Sequence, residues 1–266
     1  MSDRLSGQVV IVTGSSSGIG RAIALGAAAE GAHVVCSDLR KSADPAGYET
    51  DIEIDTDDLI KNMGGSSMFV SADVSQSADV QALVDAAVES HGRLDVMVNN
   101  AGVFPGLRSI VHETEETFDR TMAVNAKGVW LSCKIAITQM LTQEVSGRCR
   151  GRIVNIASVG GINGMSVTPA YCASKAATAN LTRQLAVDFA RKRINVNAVC
   201  PGFLQTAMGR PFYDSGSLTK ALEEQTPWPE LGTATDIARA ALFLASDDAA
   251  WVTGSMLVVD GGFSAS

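Results

Sequence analysis

One tyrosine is followed by a lysine at helical spacing. Tyr171 precedes Lys175 by four residues, in a stretch over residues 170 to 191 that is predicted to be a long helix. The two side chains therefore share one face. A phenol has an ordinary pKa near 10, and to act as a base near neutral pH it must drop by about 3 units, or about 4 kcal/mol. A neighbouring ammonium and a second positive charge could supply that drop, although an exposed helix pair has the same spacing.

Polar residues also stand where predicted strands end. Ser158 ends one strand, 13 residues before Tyr171, and Asn99 ends another in the same way. Open α/β sheets bind ligands at the carboxyl ends of their strands, so the Ser158 hydroxyl could hold a substrate oxygen. Asn125 is polar inside an apolar helical stretch, and a buried amide must find hydrogen-bond partners. Structural hydrogen bonding is the alternative interpretation for both asparagines.

A glycine-rich turn follows the first predicted strand. Gly14, Gly18 and Gly20 are spaced G-x-x-x-G-x-G ahead of a predicted helix. Glycines permit a tight turn and close approach of a phosphate, and the helix N-terminus offers free N–H groups and a positive dipole end. The spacing matches neither G-x-G-x-x-G nor a Walker A loop. Its position between the first buried strand and the first helix favours a dinucleotide site.

A carboxylate ends the second predicted strand. Asp38 lies 24 residues after Gly14, where it can bind both hydroxyls of an adenosine ribose and repel a 2′-phosphate. Ser17 offers no basic group, but Arg40 lies close by and could meet a 2′-phosphate instead. The sequence therefore favours NAD(H) and leaves NADP(H) open.

Seven short runs of apolar and β-branched residues alternate with helical patterns. Most runs are continuous rather than alternating in polarity, which is typical of strands buried on both faces of a parallel sheet. The pattern predicts an α/β fold: one Rossmann-type doubly wound domain over residues 1 to 266, with a seven-stranded parallel sheet and helices on both faces. The runs are residues 9–12, 34–36, 68–70, 94–98, 153–156, 196–199 and 256–259.

Two segments interrupt this alternation. Residues 43 to 57 form an acidic connection after the second strand, which we expect to be a surface insertion. Residues 204 to 232 carry Pro211, Pro227 and Pro229 between the sixth strand and the last helix. Long irregular segments in compact domains are usually functional or mobile. We expect residues 204 to 232 to be a substrate lid.

Composition excludes several classes of protein. The 266 residues are 46% hydrophobic, which is ample for a core, and the net charge of −8 argues against a nucleic-acid partner. The five scattered cysteines and the absence of a metal-binding motif predict neither disulfides nor a metal site. With no secretory signal and no apolar run long enough to span a bilayer, we predict a cytoplasmic protein without a membrane partner.

Together the motifs resemble those of the short-chain dehydrogenase/reductase family, in its short single-domain branch. They occur in family order across nearly the whole chain, with no departure at a catalytic position. The departures in length fall at residues 43 to 57 and around residues 147 to 150. The matching residues are Thr13, Gly14, Gly18, Ile19, Gly20, Asp73, Val74, Asn99, Asn100, Ala101, Gly102, Asn125, Ser158, Tyr171, Lys175, Pro201, Gly202, Thr206, Asp260, Gly261 and Gly262.

The resemblance implies an NAD(P)-dependent oxidoreductase that transfers a hydride between the nicotinamide and a secondary alcohol or ketone. Tyr171 would be the general acid/base, while Lys175 would lower its pKa and hold the nicotinamide ribose. Ser158 would orient the substrate oxygen, and Asn125 would hold a water in a proton relay that reaches Lys175. The small-molecule substrate would be the main partner, and a homotetramer or homodimer would form through long helices and the C-terminal strand.

The same resemblance implies the cofactor contacts. Asp73 and Val74 would meet the adenine, Asn99 the adenosine side and Thr206 the nicotinamide carboxamide. The full set of expected cofactor-binding residues is Gly14, Ser16, Ser17, Gly18, Ile19, Gly20, Asp38, Leu39, Asp73, Val74, Asn99, Ala101, Gly102, Tyr171, Lys175, Pro201, Gly202 and Thr206.

Substrate contacts are expected from side chains next to these motifs. They are largely apolar and favour a ring or an aliphatic ketone over a highly charged substrate. The expected substrate residues are Ser158, Val159, Phe104, Met208 and Phe212, with further wall candidates at Val103, Gly160, Ile162, Met165, Gly202, Phe203 and Tyr213.

Rival interpretations have less support. A catalytically silent dinucleotide sensor would need none of Asn125, Ser158, Tyr171 and Lys175. An epimerase or dehydratase of the related longer type usually needs a substrate domain, for which 266 residues leave no room. A serine hydrolase is excluded because Ile156 stands where G-x-S-x-G requires glycine.

Overall fold

Seven parallel strands form one sheet in the part of the chain that the structure describes. The structure is a computed structural model, and it describes residues 3 to 265 apart from the side chains of Pro211 and Phe212. Each predicted run lies in one strand, except that Leu94 and Asp95 precede the fourth. The strands are β1 (Val9–Thr13), β2 (His33–Asp38), β3 (Ser66–Ser71), β4 (Val96–Asn99), β5 (Gly151–Ile156), β6 (Ile194–Pro201) and β7 (Met256–Val259).

Helices cover both faces of the sheet. Helices α1 and α9 pack against the face of β1 that carries Val10 and Val12, and α3 and α5 pack against the face that carries Val9 and Ile11. Successive strand residues point to opposite faces, so a continuous apolar run is what a sheet covered on both sides requires. The helices are α1 (Gly18–Ala29), α2 (Thr56–Asn62), α3 (Ser77–His91), α4 (Glu115–Met122), α5 (Val129–Leu141), α6 (Pro169–Phe189), α7 (Arg210–Tyr213), α8 (Gly216–Gln225) and α9 (Ala234–Ala245).

The order of strands reverses between β1 and β4. The sheet runs β3-β2-β1-β4-β5-β6-β7, so the loop after β1 leads to one side and the loop after β4 leads to the other. Such a reversal leaves a crevice at the carboxyl ends of the two strands, where doubly wound proteins bind ligands. The glycine-rich turn follows β1 and the residues after Asn99 follow β4, so both predicted motifs meet at this crevice.

Residues 204 to 232 are more regular than the sequence predicts. They contain a 3-10 turn over Ala207–Gly209 and the helices α7 and α8. A parallel bridge between Leu204 and Gly232 joins the two ends of the segment. The segment therefore contains short helices, and its two ends lie side by side.

The acidic segment, residues 43 to 57, is more than the surface insertion that we expected. Arg21 on α1 is 1% exposed and donates hydrogen bonds to the Thr56 hydroxyl (2.9 Å) and to the Asp51 carbonyl (3.0 Å). The Thr56 hydroxyl donates in turn to the carbonyl of Ser15 (2.8 Å). A buried charge is tolerated only when it is partnered, so these bonds hold the segment against the glycine-rich turn.

The cysteines behave as the sequence predicts. All five are free. Burial raises the pKa of the Cys36 and Cys133 thiols to about 12, so both stay protonated and pack as small apolar groups. Among residues 3 to 265, every helix is too short or too polar to cross a lipid bilayer.

We expect replacement of Gly20 to damage the turn. A Cβ at Gly20 would lie 2.0 Å from the Gly14 carbonyl oxygen and 2.5 Å from Asn100 Nδ2, and neither atom is at the end of a free side chain. Gly20→Ala should lower the free energy of unfolding by about 2–3 kcal/mol, measured by urea denaturation. Gly164→Ala is the matched control because a Cβ there meets no atom within 4 Å; equal stability of the two variants would contradict this assignment.

Candidate active site

A cavity of about 1060 Å³ lies in the crevice at the carboxyl edge of the sheet. Its volume is at the upper end of the roughly 300–1,000 Å³ typical of small-molecule sites, which leaves room for a ligand the size of a dinucleotide. Most of the predicted cofactor and catalytic residues line it: Gly14, Ser16, Ser17, Gly18, Ile19, Asp38, Leu39, Asp73, Val74, Ala101, Gly102, Ser158, Tyr171, Lys175, Pro201, Gly202 and Thr206.

Two residues predicted to contact the cofactor lie behind the cavity wall. Gly20 packs against the carbonyl of Gly14, so its role is to allow the turn. Asn99 is 3% exposed, and its Nδ2 donates to Asn155 Oδ1 at 2.8 Å. Its side chain points into the sheet layer rather than toward the cavity, because strand residues alternate between faces.

The neighbouring Asn100 fixes the glycine-rich turn, a role that the sequence analysis did not assign. Its Nδ2 donates to the carbonyls of Thr13 (2.9 Å) and Gly14 (3.0 Å). The Thr13 hydroxyl accepts from the backbone N–H of Asn100 and of Ala101, both at 3.1 Å. These bonds tie the loops after β1 and β4 together at the strand reversal.

The N-terminus of α1 has no cap of its own. Its N-cap residue Ser17 makes no side-chain bond to the helix, and the first turn carries no acidic residue. The Ser17 hydroxyl instead accepts from the N–H of Asp44 (2.6 Å), and the N–H of Gly18 donates to the Glu49 carboxylate. The free N–H groups and positive dipole end of this helix thus attract an anion from outside it.

Asp38 faces the cavity and is held by backbone N–H groups. Its Oδ2 accepts from Ser16 (3.2 Å) and its Oδ1 from Leu39 (2.8 Å). The Ser16 hydroxyl donates to the carbonyl of Arg40 (2.6 Å), and Arg40 also lines the cavity. Asp38, which favours NAD, and Arg40, which could meet a 2′-phosphate, therefore lie at the same end of the cavity.

Tyr171 and Lys175 lie on one face of α6, as their spacing predicts. Lys175 is 5% exposed, its Nζ donates to the carbonyl of Ile156 (2.8 Å), and Nζ lies 5.8 Å from the centroid of the Tyr171 ring. Burial lowers the pKa of Lys175 to about 8. The predicted pairing is present, at the end of β5.

The pKa of Tyr171 is shifted opposite to the direction that catalysis needs. Burial raises this pKa, and the Ser158 hydroxyl offsets only part of the rise. This direction is opposite to the drop in the pKa of Tyr171 that we expected from Lys175, because desolvation disfavours the charged phenolate.

Ser158 and Phe104 complete the surroundings of the phenol. Ser158 is 6% exposed at the end of β5, and its hydroxyl accepts from the N–H of Gly160 (3.0 Å). The Phe104 ring meets the Tyr171 ring edge-on, with centroids 5.2 Å apart. The hydroxyls of Ser158 and Tyr171 therefore adjoin each other beside an apolar wall.

Asn125 supports the site from behind. It is fully buried in a π-helical turn, Ala123–Gly128, between α4 and α5, and such turns are frequent at functional sites. Its side chain accepts from the N–H of Val103 (2.8 Å) and donates to the Val103 carbonyl (2.9 Å) and the Ser174 hydroxyl (3.1 Å). A Cβ on Gly102 would lie 3.3 Å from Asn125 Oδ1 and 3.6 Å from Lys175 Nζ, so the loop after β4 runs between them.

The substrate side of the cavity is only partly as predicted. Phe104, Val159 and Met208 line it, as do Val103, Met165, Gly202, Phe203 and Tyr213, whereas Gly160 and Ile162 are not among its lining residues. The Phe212 side chain lies outside the described residues.

Two arginines that no sequence motif indicates also line the cavity: Arg108 from the loop after β4 and Arg120 from α4. The backbone N–H of Arg108 donates to the carbonyl of Val167 (2.7 Å). Val167 itself has a φ of 56°.

A cluster of carboxylates lies apart from this cavity. Asp55, Asp57 and Asp58 are close enough together to hold an ion. The ammonium of Lys41 lies 3.6, 3.3 and 2.7 Å from their oxygens. The ammonium of Lys61 also lies 2.8 Å from Asp57 and 3.2 Å from Asp58, so two cations of the chain itself offset part of the negative charge of the cluster.

The sequence and the structure match known proteins over their whole length. A family profile described as enoyl-(acyl carrier protein) reductase matches residues 14–264. An uncharacterized oxidoreductase of Thermotoga maritima is 41% identical over 97% of this chain and 98% of its own. The 2-(S)-hydroxypropyl-CoM dehydrogenase 3 of Xanthobacter autotrophicus is 38% identical over 100% of both chains. A crystal structure from Agrobacterium tumefaciens with bound NADP shares 35% identity and a TM-score of 0.86 over 99% of both chains.

These likenesses agree with the geometry of the cavity. They span the glycine-rich turn at one end of the chain and the last strand at the other. The parallel sheet, the crevice at its strand reversal and the Tyr171–Lys175 pair are the features that the family's motifs imply. The chain therefore belongs to the short-chain dehydrogenase/reductase family.

Proposed function

We propose that the protein is an NAD(P)-dependent oxidoreductase that transfers a hydride between a nicotinamide and a secondary alcohol or ketone. The observation that carries this proposal is the convergence of Ser158, Tyr171 and Lys175 on one wall of a cavity that begins at the glycine-rich turn. The xanthobacterial relative is named as a dehydrogenase of a hydroxyalkyl compound, which supports the same reaction class. A silent sensor would not need the buried Tyr171–Lys175 pair.

The residues present fit a dinucleotide. The N-terminus of α1 suits a pyrophosphate, because its N-cap side chain makes no bond to the helix and the N–H of Gly18 donates to an anion, the carboxylate of Glu49 from a distant segment. Asp38 suits the adenosine ribose, and Lys175 would hold the ribose of the nicotinamide. When bound, the nicotinamide supplies the hydride chemistry, and the side chains supply binding, orientation and proton transfer.

Tyr171 performs the proton transfer in this proposal. In alcohol oxidation its phenolate accepts the hydroxyl proton, and in ketone reduction its phenol donates one, while Ser158 orients the substrate oxygen. Burial raises the pKa of Tyr171, so the Lys175 ammonium and a cofactor's positive charge must favour the phenolate. Reduction should slow as the pH rises through this pKa, and oxidation should slow as it falls below it.

Asn125 acts as a positioning residue in this proposal. Its side chain fixes the backbone of Val103, and its carbonyl accepts from the Thr178 hydroxyl (2.9 Å) on α6. Asn125 thereby sets the distance between the loop after β4 and the helix that carries Lys175. A water held there would extend a proton path from Lys175, as the family resemblance implies.

We propose NAD as the preferred cofactor. Asp38 places a carboxylate where the 2′-phosphate of NADP would lie, and like charges repel. The Agrobacterium structure binds NADP, so this fold can hold a 2′-phosphate, and in this proposal the preference depends on local charge. Arg40 is the side chain that would lessen the repulsion.

The substrate in this proposal has an apolar body. Phe104, Val159 and Met208 provide apolar contact beside the phenol. Arg108 and Arg120 add positive charge to the same cavity, so a polar substituent away from the reacting carbon also fits. The cavity is thus less uniformly apolar than the sequence suggested.

Residues 204 to 232 form a substrate lid in this proposal. Leu204, Met208 and Tyr213 line the cavity from this segment, and a bridge from Leu204 to Gly232 joins its two ends. Most residues of α8 are exposed, and elements with few buried contacts open locally. Closure of residues 204 to 232 over the cavity would exclude water and would thereby strengthen the charge interactions around Tyr171.

We further propose a homotetramer or homodimer in the cytoplasm. Val187 on α6 is 80% exposed and Trp130 on α5 is 46% exposed, although both are large and apolar. The edge strand β7 exposes Val258, and an open edge can pair with another chain. These surfaces support association through the long helices and the C-terminal strand.

Tyr171→Phe should reduce turnover by at least about a thousandfold, since proton transfer and its orientation are lost together. The affinity for NAD⁺ should stay within about twofold, because the ring remains in place. Steady-state assays with an alcohol and ketone panel, paired with calorimetric titration of NAD⁺, measure both. Tyr48→Phe keeps the ring that Arg210 contacts and serves as the control; equal turnover in the two variants would exclude Tyr171 as the acid/base.

Asp38→Ala should weaken NAD⁺ binding by about tenfold and strengthen NADP⁺ binding. One lost charge-assisted hydrogen bond accounts for the first effect, and one removed repulsion accounts for the second. Isothermal titration with each cofactor measures the ratio of the two affinities. Asp85→Ala removes an exposed carboxylate from α3, outside the cavity wall; a preference that shifts equally in both variants would exclude a specific role for Asp38.

Amide hydrogen exchange tests the lid. Residues 204 to 232 should exchange more slowly when NAD⁺ and a substrate or inhibitor are both bound than with NAD⁺ alone, since closure protects the amides of α7 and α8. Exchange in β1 and β5 should not change and provides the internal reference. Equal protection of the segment in the two states would count against a lid.

A further inference from the structure

The carboxylate of Glu49 lies at the N-terminus of α1, where a phosphate of a bound cofactor would interact. It accepts a hydrogen bond from the N–H of Gly18, although 31 residues separate the two. Because α1 carries no acidic residue in its first turn and Ser17 gives it no cap, Glu49 is the anion that this helix end uses in the cofactor-free chain.

The backbone of the acidic segment, residues 43 to 57, positions the Glu49 carboxylate next to the glycine-rich turn. The N–H of Asp44 donates to the Ser17 hydroxyl (2.6 Å), and the N–H of Gly47 donates to the Asp44 carbonyl (2.8 Å). A Cβ on Gly47 would lie only 2.0 Å from Glu49 Oε2. The glycine therefore leaves the space that the Glu49 side chain occupies.

A residue of the proposed lid holds the same part of the segment. Arg210 donates to the carbonyls of Ala46 (2.5 Å) and Gly47 (3.3 Å). Its guanidinium also lies 4.8 Å from the centroid of the Tyr48 ring, and cations are attracted to such faces. Residues 44 to 49 are thus fixed to the glycine-rich turn on one side and to α7 on the other.

We propose that Glu49 determines cofactor affinity by competing with the pyrophosphate for the N-terminus of α1. A carboxylate and a phosphate are both anions and cannot accept from the same Gly18 N–H, so the cofactor binds only after Glu49 leaves. The free energy of the Glu49 contact is therefore subtracted from that of cofactor binding. Arg210 links this displacement to α7, so entry of the cofactor and movement of the lid are coupled.

This inference rests on dinucleotide binding and not on the substrate chemistry proposed above. Its test is a measurement of cofactor binding, which can be made even on a protein that shows no turnover. Failure of the redox assignment and failure of the Glu49 assignment therefore give different results.

Glu49→Gln should bind NAD⁺ about 5-fold more tightly than the unaltered chain in calorimetric titration, since a carboxylate at a helix N-terminus stabilises by roughly 1 kcal/mol. The melting temperature of the cofactor-free variant should fall, because the helix end loses its anion. Glu53→Gln is the matched control, as Glu53 is exposed in the same segment. Gly47→Ala, which displaces the carboxylate without removing it, should reproduce the tighter binding.

Adenosine, which has no phosphate, separates competition from simple opening of the segment. Its affinity should be the same for Glu49→Gln and the unaltered chain, while ADP should bind more tightly to the variant. NAD⁺ affinity in Glu49→Gln that equals or falls below that of Glu53→Gln would overturn the proposal. An equal gain for adenosine and ADP would overturn it as well.

Discussion

Removal of two neighbouring ionisable side chains from water is the constraint on which this site depends: Lys175 is buried and Tyr171 is half-buried. Desolvation lowers the pKa of Lys175 and raises the pKa of Tyr171, so each group is pushed toward its neutral form. The chain offsets this only in part, through the Ile156 carbonyl that accepts from Lys175 and through the Ser158 hydroxyl beside the phenol. A bound oxidised nicotinamide would add the missing positive charge. In the proposed mechanism Tyr171 would therefore transfer a proton only beside a bound cofactor.

The sheet makes this arrangement possible. Helix α6 docks on β5 and β6, which brings Lys175 to the end of β5. The strand reversal between β1 and β4 opens the crevice in front of it. Asn125 and Asn100 lie in or next to the loops of this edge, and their amide groups hydrogen-bond to backbone. These bonds hold the loops in place around the cavity.

Two features that depend on a partner's charge lie at the same cavity. One is the end of α1, which takes a carboxylate from Glu49 in the cofactor-free chain. The other is the Tyr171–Lys175 pair, whose charges depend on what binds beside it. In this proposal a bound dinucleotide would displace Glu49 from the end of α1 and would add positive charge beside Tyr171. Cofactor binding and activation of the phenol would therefore depend on the same ligand. The coupling through Arg210 extends this link to residues 204 to 232.

The sequence predicts the sheet and the pairing of Tyr171 with Lys175 because both signals are local. Doubly covered strands give continuous apolar runs, and the spacing of Tyr171 and Lys175 lies within one helical turn. It cannot predict the role of the acidic segment, since the bonds of Arg21 to Thr56 and of Gly18 to Glu49 join residues more than 30 positions apart. The cofactor contact of Asn99 stays a prediction, and it could involve only the backbone, because the side chain of Asn99 bonds to Asn155 and the side chain at the turn is that of Asn100.

Ultraviolet titration of the tyrosines, with and without NAD⁺, tests most directly whether the cofactor supplies the charge that Tyr171 needs. The chain has only three tyrosines, and burial raises the pKa of Tyr213 to about 12, so subtraction of the Tyr171→Phe spectrum isolates one phenol. We predict that Tyr171 ionises above its ordinary pKa in the free protein and at a clearly lower pH when NAD⁺ is bound. The same ionisation midpoint in both states would contradict this mechanism.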